Sequence, residues 1–261
     1  MALSNDWKKV TRAEPCRICK KPDWCTLGLM FANCMRVESD KPCKNGGWLH
    51  ALDSAPKVFV PKSKPVEPPK INVKLMMDEW KSKTLTEWVV ELAGQLSVTA
   101  DSLYALGVAW AADRKAWAFP MFNGYGDPIG IRLRTVEGKK FAVTGSHAGI
   151  FIPTMKPQGE LWILEGPTDT AAALTVGLFS IGRPSCLGCE YIISTFAQRS
   201  EVSRVIICAD ADEPGQRGAE KLQHSLGIPS KIWTPPCKDL RASVAAGLDL
   251  KTIRALVGQI L

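Results

Sequence analysis

Leu161-Trp-Ile-Leu-Glu165-Gly-Pro-Thr-Asp169 and Val205-Ile-Ile-Cys-Ala-Asp210-Ala-Asp212-Glu-Pro-Gly215 are the two stretches whose reading decides the fold of this chain. Each is a short apolar run that ends on acids and passes through glycine and proline into a helix-forming segment. Around them, strands at 160–164, 178–181, 204–209 and 231–233 alternate with helical stretches near 168–177, 190–200 and 215–226. Such a rhythm predicts a mostly parallel sheet with helices on both faces, an α/β Rossmann-like arrangement. It spans residues 159–261 and closes with a helix at 250–257.

Open parallel sheets bind their ligands beyond the carboxyl ends of the strands. Both acid-terminated strands deliver carboxylates there, which is costly unless a cation or a donor faces them. The two-residue strand period aims Asp210 and Asp212 to one side. Glu165 from the other strand then completes an oxygen-rich pocket of the kind Mg2+ or Mn2+ prefers. A single acidic pair ahead of Pro214 would read as a helix cap. Two strands ending alike favour a metal site.

Upstream, the pattern turns helical at Thr84. Thr84-x-x-Glu87 has the form of a capping box, and Leu85, Trp88, Val89, Leu92 and Leu96 fall on one helical face. A second short helix fits 99–106, stopped by Gly107. No basic recognition face follows, so the pair does not read as a helix-turn-helix. Residues 115–145 alternate as strands, with turns at Asn123-Gly124 and Glu137-Gly138. Ile129, Ile131 and Leu133 share one face of their strand, and Phe141 and Val143 share one face of the next. Matching these faces requires the odd loop Val136-Glu137-Gly138, with Gly138 at positive φ. That register gathers Arg132, Arg134 and Lys140 on the other face, which by itself is an ordinary solvated surface. Residues 74–158 thus read as a small mixed α+β subdomain of two helices and antiparallel strands.

Five of the nine cysteines lie within residues 16–43. Without a secretory signal, clustered cysteines are metal ligands before they are disulfides. Cys16-x2-Cys19 is a metal knuckle, and Zn2+ takes four tetrahedral ligands; Cys25 and Cys34 complete the set, with Cys43 and His50 as substitutes. The result is a small zinc ribbon-like module over residues 10–52. Arg17, Lys20, Lys21 and Arg36 are candidates for holding phosphates. Trp24 or Trp48 could stack on a base, although Trp24 fits better as the core of the module. A Pro/Lys-rich linker over 53–73 follows, with five prolines and four lysines between residues 55 and 70; it cannot bury enough apolar surface to fold and reads as a tether. Cys186-x2-Cys189 lacks a companion pair and reads as structural, and Cys208, inside an apolar strand, as buried.

With 261 residues, 46% apolar and 23% charged, the chain has room for one large or two modest domains and does not have the composition of a disordered protein. The net charge of +7 sits wholly in residues 1–75, which hold 14 Lys and Arg against 7 Asp and Glu, while residues 76–261 hold 19 of each sign. A polyanion-binding N-terminal part follows. No apolar run approaches the ~20 residues that cross a bilayer, and the start has no signal-peptide core. A cytoplasmic protein with no membrane partner is expected. The sequence holds no Gly-x4-Gly-Lys-Ser/Thr, hence no P-loop motor.

As a set, Glu165-Gly-Pro-x-Asp169 and Asp210-x-Asp212-x-x-Gly215 resemble the TOPRIM domain of topoisomerases, primases and some nucleases. Gly130-Ile-Arg-Leu-Arg134, Gly138-Lys-Lys-Phe141 and Thr144-Gly-Ser-His147 look like the strand region ahead of TOPRIM in phage primase–helicases, and Pro236-Cys-Lys-Asp239 like their last acidic motif. With the cysteine module and the tether, the order is similar to that of bacterial and phage-type, DnaG-like DNA primases over nearly the whole chain. The resemblance implies a TOPRIM-type fold and template-directed synthesis of short RNA primers. Glu165, Asp210 and Asp212 would then be the metal-binding acids, and Asp169 and Asp239 supporting acids. Arg132, Arg134, Lys139 and Lys140 would contact nucleotide phosphates and template. It also implies single-stranded DNA and ribonucleoside triphosphates as partners, a template-reading zinc module, and unwinding by a separate helicase. The compact organisation points to a phage or mobile element. A TOPRIM nuclease would share the acids but not need the zinc module or the basic strands. A non-catalytic single-stranded-DNA-binding accessory protein would bind without making product. A topoisomerase is not expected, since only Tyr104, Tyr125 and Tyr191 are available as nucleophiles and the sequence shows no strand-passage domains.

Overall fold

Four short strands build an antiparallel sheet in the N-terminal unit, Met1–Phe59. They are β1 (Lys8–Lys9), β2 (Thr26–Leu27), β3 (Phe31–Cys34) and β4 (Trp48–Ala51), in the order β1-β2-β3-β4. The computed structural model describes residues 7–28, 31–44, 46–52, 69–156, 159–200 and 202–258, so residues 53–68 of the expected linker lie outside the described residues. Strands of two to four residues bury little: Val10, Leu27 and Ala32, together with Cys16, Cys25 and Cys34, are the core of the unit. A core of this size needs a crosslink to hold its shape. Trp24 is not part of it. It is 79% exposed, at φ 65°, with the Arg36 guanidinium over its ring at 5.1 Å.

The second unit, Val60–Leu261, begins with three helices rather than the two expected. They are α1 (Val73–Lys83), α2 (Thr86–Leu96) and α3 (Ala100–Ala105). Asn72 caps α1 by accepting from the Leu75 N–H, and Val73, Met77 and Trp80 face inward. The expected capping box is not formed. Thr84 closes α1, its hydroxyl donating to the Trp80 carbonyl at 2.7 Å and accepting from the Trp110 N–H at 2.8 Å. Because α2 therefore starts at Thr86, its buried stripe is Val89, Leu92, Ala93 and Leu96, and Leu85 (51% exposed) and Trp88 face outward. Thr99 caps α3, and Gly107 at φ 70° follows it as expected.

Next comes an antiparallel sheet in the order β5-β6-β7-β8: β5 (Ala109–Ala111), not foreseen in the sequence, β6 (Ala116–Phe122), β7 (Pro128–Thr135) and β8 (Lys140–Ala142). The hairpin register is the one that face matching demands. Leu133 pairs with Phe141 and Arg134 with Lys140, and the turn closes through Gly138 at φ 89°. One face packs Ile131 and Leu133 with Ala116 and Ala118 on α1. The other packs Trp117, Phe119 and Met121 of β6 on α2 and α3. Arg132 and Arg134, paired with Phe119 and Trp117, belong to this second face.

The C-terminal part is doubly wound. Strands β9 (Glu160–Glu165), β10 (Ser180–Arg183), β11 (Arg204–Cys208) and β12 (Ser230–Trp233) are all parallel, in the order β10-β9-β11-β12. Alternation divides their side chains. Leu161, Ile163, Ile181, Val205 and Ile207 pack on α5 (Glu190–Arg199) and α6 (Glu213–Leu226). Trp162, Leu164, Ile206, Cys208 and Trp233 pack on the other face with α4 (Gly166–Thr175), α7 (Leu240–Ala245) and α8 (Leu250–Gly258). Residues 150–151 join the two sheets: Ile150 bridges Phe122 at the end of β6, and Phe151 bridges Gly182 in β10. Among the described residues no helix is long and apolar enough to cross a membrane.

Candidate active site

The parallel sheet sets five acids at its carboxyl end. Glu165 is the last residue of β9 and Asp169 lies in the first turn of α4. Asp210 follows β11, Asp212 caps α6, and Asp239 caps α7, a six-residue helix the sequence pattern does not reveal. Four of the acids have one oxygen held by a donor. Asp212 Oδ1 accepts from the Gly215 N–H at 2.8 Å, Asp239 Oδ1 from Ala242 N–H at 2.7 Å, Asp169 Oδ1 from Arg241 N–H at 3.0 Å, and Glu165 Oε1 from Arg183 Nη2 at 3.2 Å. Among the described residues the second oxygen of each takes no hydrogen bond. Capping and ligation are therefore not rivals here, because one carboxylate can do both.

The electrostatics record the crowding. Burial, then the charges of Asp239 and Asp210, lift Asp169 to about 7 despite the Arg241 N–H. Burial with Glu165, Asp239 and Asp212 lifts Asp210 to about 6, and Lys140 offsets part of this. Glu165 is also raised, by burial and by Asp212 and Asp169, with Arg183 opposing. Cys208, fully buried beneath them, is pushed well up by desolvation and by the same acids. Carboxylates that hold protons this strongly lack positive charge. The acids do not draw as tight as the cysteines: among the described residues only Cys16, Cys19, Cys25 and Cys34 bring ligand atoms within 4.8 Å of one another.

From the antiparallel sheet, Lys140 reaches near enough to Asp210 to lower its proton affinity. Arg134 is half-buried between Arg241 and Asp169, and desolvation with the Arg241 charge lowers its own pKa. Arg132 shares their face by register. Lys139 instead closes the turn, its carbonyl accepting from the Thr135 N–H at 3.0 Å, and by alternation it belongs with Phe141.

In the N-terminal unit the four cysteines named from spacing converge. The knuckle is closed by main-chain bonds, Lys20 N–H to Cys16 O at 2.8 Å and Cys16 N–H to Lys21 O at 2.9 Å. Met35 and Val37 N–H groups point at the sulfurs of Cys25 and Cys34 at 3.4 and 3.3 Å. Burial opposes ionisation of Cys19, but hydrogen bonds from the Lys21 main chain and the neighbouring thiols bring it to about 7. Burial and the neighbouring thiols push Cys25 up to about 12. The Cys19 thiolate forms readily and Cys25 resists, and four converging sulfurs are a soft ligand set suited to a divalent ion. The substitutes are not used: among the described residues Cys43 stays outside the quartet, and His50 Nε2 contacts the Val37 carbonyl at 2.9 Å. Arg36 is not free for phosphates. It pairs with Asp23 at 2.6 Å and points at the sulfurs of Cys19 and Cys25.

No family model matches the sequence, and no curated protein matches it. Solved structures do. The catalytic core of DnaG superposes with a TM-score of 0.58 at 14% identity, over 72% of this chain and 80% of that one. The fold is that of the DnaG-type primases. The zinc-binding and RNA polymerase domains of the Aquifex aeolicus primase match with a TM-score of 0.59 at 13% identity, over 73% of this chain and 62% of that one. The primase fragment of the bacteriophage T7 primase-helicase covers 98% of this chain and is itself covered completely, with a TM-score of 0.54 at 14% identity. Within this primase fold, two polar residues of the acid site escaped the sequence reading: Arg241, in a helix the sequence pattern does not reveal, and Arg183, whose strand was expected to end at Ile181. Extending that strand by two residues would have paired it with Glu165.

Proposed function

We propose that the chain is a DNA primase, making short RNA primers on single-stranded DNA by metal-dependent nucleotidyl transfer. What carries the reading is the meeting, within one unit, of five carboxylates at the ends of parallel strands with Arg134 and Lys140 from the neighbouring sheet. The donors fit Mg2+ or Mn2+: hard oxygens, mutually repelling, and all but Asp210 anchored on one side. Glu165, Asp210 and Asp212 would hold the ions, with Asp169 and Asp239 supporting. Bound there, a pair of divalent ions supplies an activated 3′-hydroxyl and charge neutralisation at the phosphate and the departing pyrophosphate.

The protein's own groups bind and orient. Lys140, Arg134 and Arg132 offer cations to the triphosphate and template phosphates. The 3′-hydroxyl oxygen of one ribonucleotide attacks the α-phosphorus of the next, the bond to pyrophosphate breaks, and no protein nucleophile is needed. Zinc held by Cys16, Cys19, Cys25 and Cys34 would fix a module whose exposed Trp24, Lys20 and Lys21 suit a single strand. The matched structures include a DnaG catalytic domain bound to single-stranded DNA, which supports the same partner here. A separate helicase would supply unwinding.

The test is synthesis on random-sequence single-stranded DNA with labelled ribonucleoside triphosphates and Mg2+. Wild type should make short RNAs, and Glu165→Gln should make none while keeping its circular dichroism. Synthesis retained by that variant overturns the assignment. DNA cleavage without nucleotides would identify a nuclease, and binding without product an accessory protein.

A further inference from the structure

Arg183 ends β10 with 1% of its surface exposed. Alternation from Ile181 turns it toward α6, and the parallel register sets it beside Glu165. Its Nη1 donates to the Cys186 carbonyl at 2.7 Å and to the Gly218 carbonyl at 3.1 Å, and its Nη2 to Glu165 Oε1 at 3.2 Å. The socket depends on Gly218, where a Cβ would stand 2.2 Å from the Cys186 carbonyl oxygen. Two main-chain carbonyls from different elements thus clamp the guanidinium on one side. On the other, Nε and Nη2 share the edge that can grip a carboxylate with two parallel bonds. Only Nη2 is used; Nε is buried and has no partner among the described residues. A buried ion pair is weak evidence for stability, since desolvation offsets its attraction. A clamp this constrained is better explained by what it does to Glu165.

We propose that Arg183 is a positioning residue that grips Glu165 by one oxygen and presents the other to the divalent ion. The inference rests on the acid site binding such an ion. Held by main chain rather than by ligand, the guanidinium keeps Glu165 in one orientation throughout a reaction cycle. Loss of an outer partner of a metal ligand typically costs about 10–100-fold in metal affinity.

The experiment is a Mn2+ titration of the zinc-loaded full chain, reading free Mn2+ by electron paramagnetic resonance, in wild type, Arg183→Met, Arg183→Lys, Glu165→Gln and the Glu165→Gln/Arg183→Met double variant. Near-UV circular dichroism checks folding, and Arg183→Lys, alone and with Glu165→Gln, completes the cycle if the methionine variant does not fold. Expected are binding by wild type, affinity about 10–100-fold lower in Arg183→Met, and no further loss when Arg183 is changed in the Glu165→Gln background. Equal Mn2+ affinity with and without Arg183 overturns its role and leaves the acid site standing. Additive losses in the double variant overturn action through Glu165. No Mn2+ binding by wild type overturns the acid site and this inference together.

Discussion

Asp169→Asn isolates the cost of charge at this site. Asp169 is 8% exposed, and its Oδ1 accepts from the Arg241 N–H. Asparagine keeps that acceptor and removes the charge. In the fold the carboxyl is lifted from 3.8 to about 7 by burial and by Asp239 and Asp210. At ~1.4 kcal/mol per pH unit, the ionised form therefore costs about 4 kcal/mol above pH 7. Between pH ~4 and ~7 the folded chain keeps this proton and the unfolded chain has lost it, so this contribution to stability falls as pH rises through that window. At pH 5 roughly 1.5 kcal/mol of the cost remains, and the advantage of Asp169→Asn over wild type should shrink by about 2.5 kcal/mol between pH 8 and pH 5. Urea unfolding without added Mg2+, followed by tryptophan fluorescence, measures it, because Trp162 and Trp233 pack edge to face at 5.6 Å in the core beneath the acids. A stability difference that does not change with pH, or that widens toward pH 5, refutes the reasoning.

Asp212 should separate its two jobs. Asp212→Asn keeps the cap on α6 and loses Mn2+ affinity, whereas Asp212→Ala also lowers the urea midpoint, by ~1 kcal/mol of cap energy. Gly218→Ala, with its Cβ 2.2 Å from a main-chain oxygen, should lose about 1–3 kcal/mol, while Gly94→Ala in α2, with nothing within 4 Å, should gain ~0.5–1 kcal/mol; thermal melts read both. Cys34→Ser should abolish stoichiometric zinc, measured by atomic emission, and expose the N-terminal unit to limited proteolysis before the second unit.

Legibility in the sequence followed the range of the interactions. The 135–140 hairpin was readable to the residue because alternation and one glycine fix it locally. Strands β9 and β11 were readable because apolar runs close on acids. The zinc quartet came from spacing alone. Helix α1 was missed although Val73, Met77 and Trp80 have helical spacing, because it abuts the Pro-rich stretch and Thr84 mimics a capping box. That threonine instead bonds back to Trp80 and across to Trp110, 26 residues away. Arg183 was invisible for a related reason: Gly182 and Pro184 look like strand breakers, and its partners Glu165 and Gly218 lie 18 and 35 residues off. Trp24 misled because an aromatic in a small module is expected inside, whereas the cysteines already fill that core.

The acid site is organised by anchoring rather than by neutralisation. Asp212 and Asp239 are fixed by the first turns of α6 and α7, Asp169 by the Arg241 N–H of α7, and Glu165 by a buried guanidinium, each through one oxygen. Helix amino ends favour the ionised form of a carboxylate, yet Asp169 still rises to about 7 and Asp210, which has no such anchor, to about 6. The fold therefore holds the carboxylates in place without satisfying their charge. Lys140 and Arg134 stand outside this ring on a different sheet, joined to it through residues 150–151. Under the proposed function, acids within and cations without would complement a polyanion that arrives with its own divalent ions, and neither layer alone would discriminate for it.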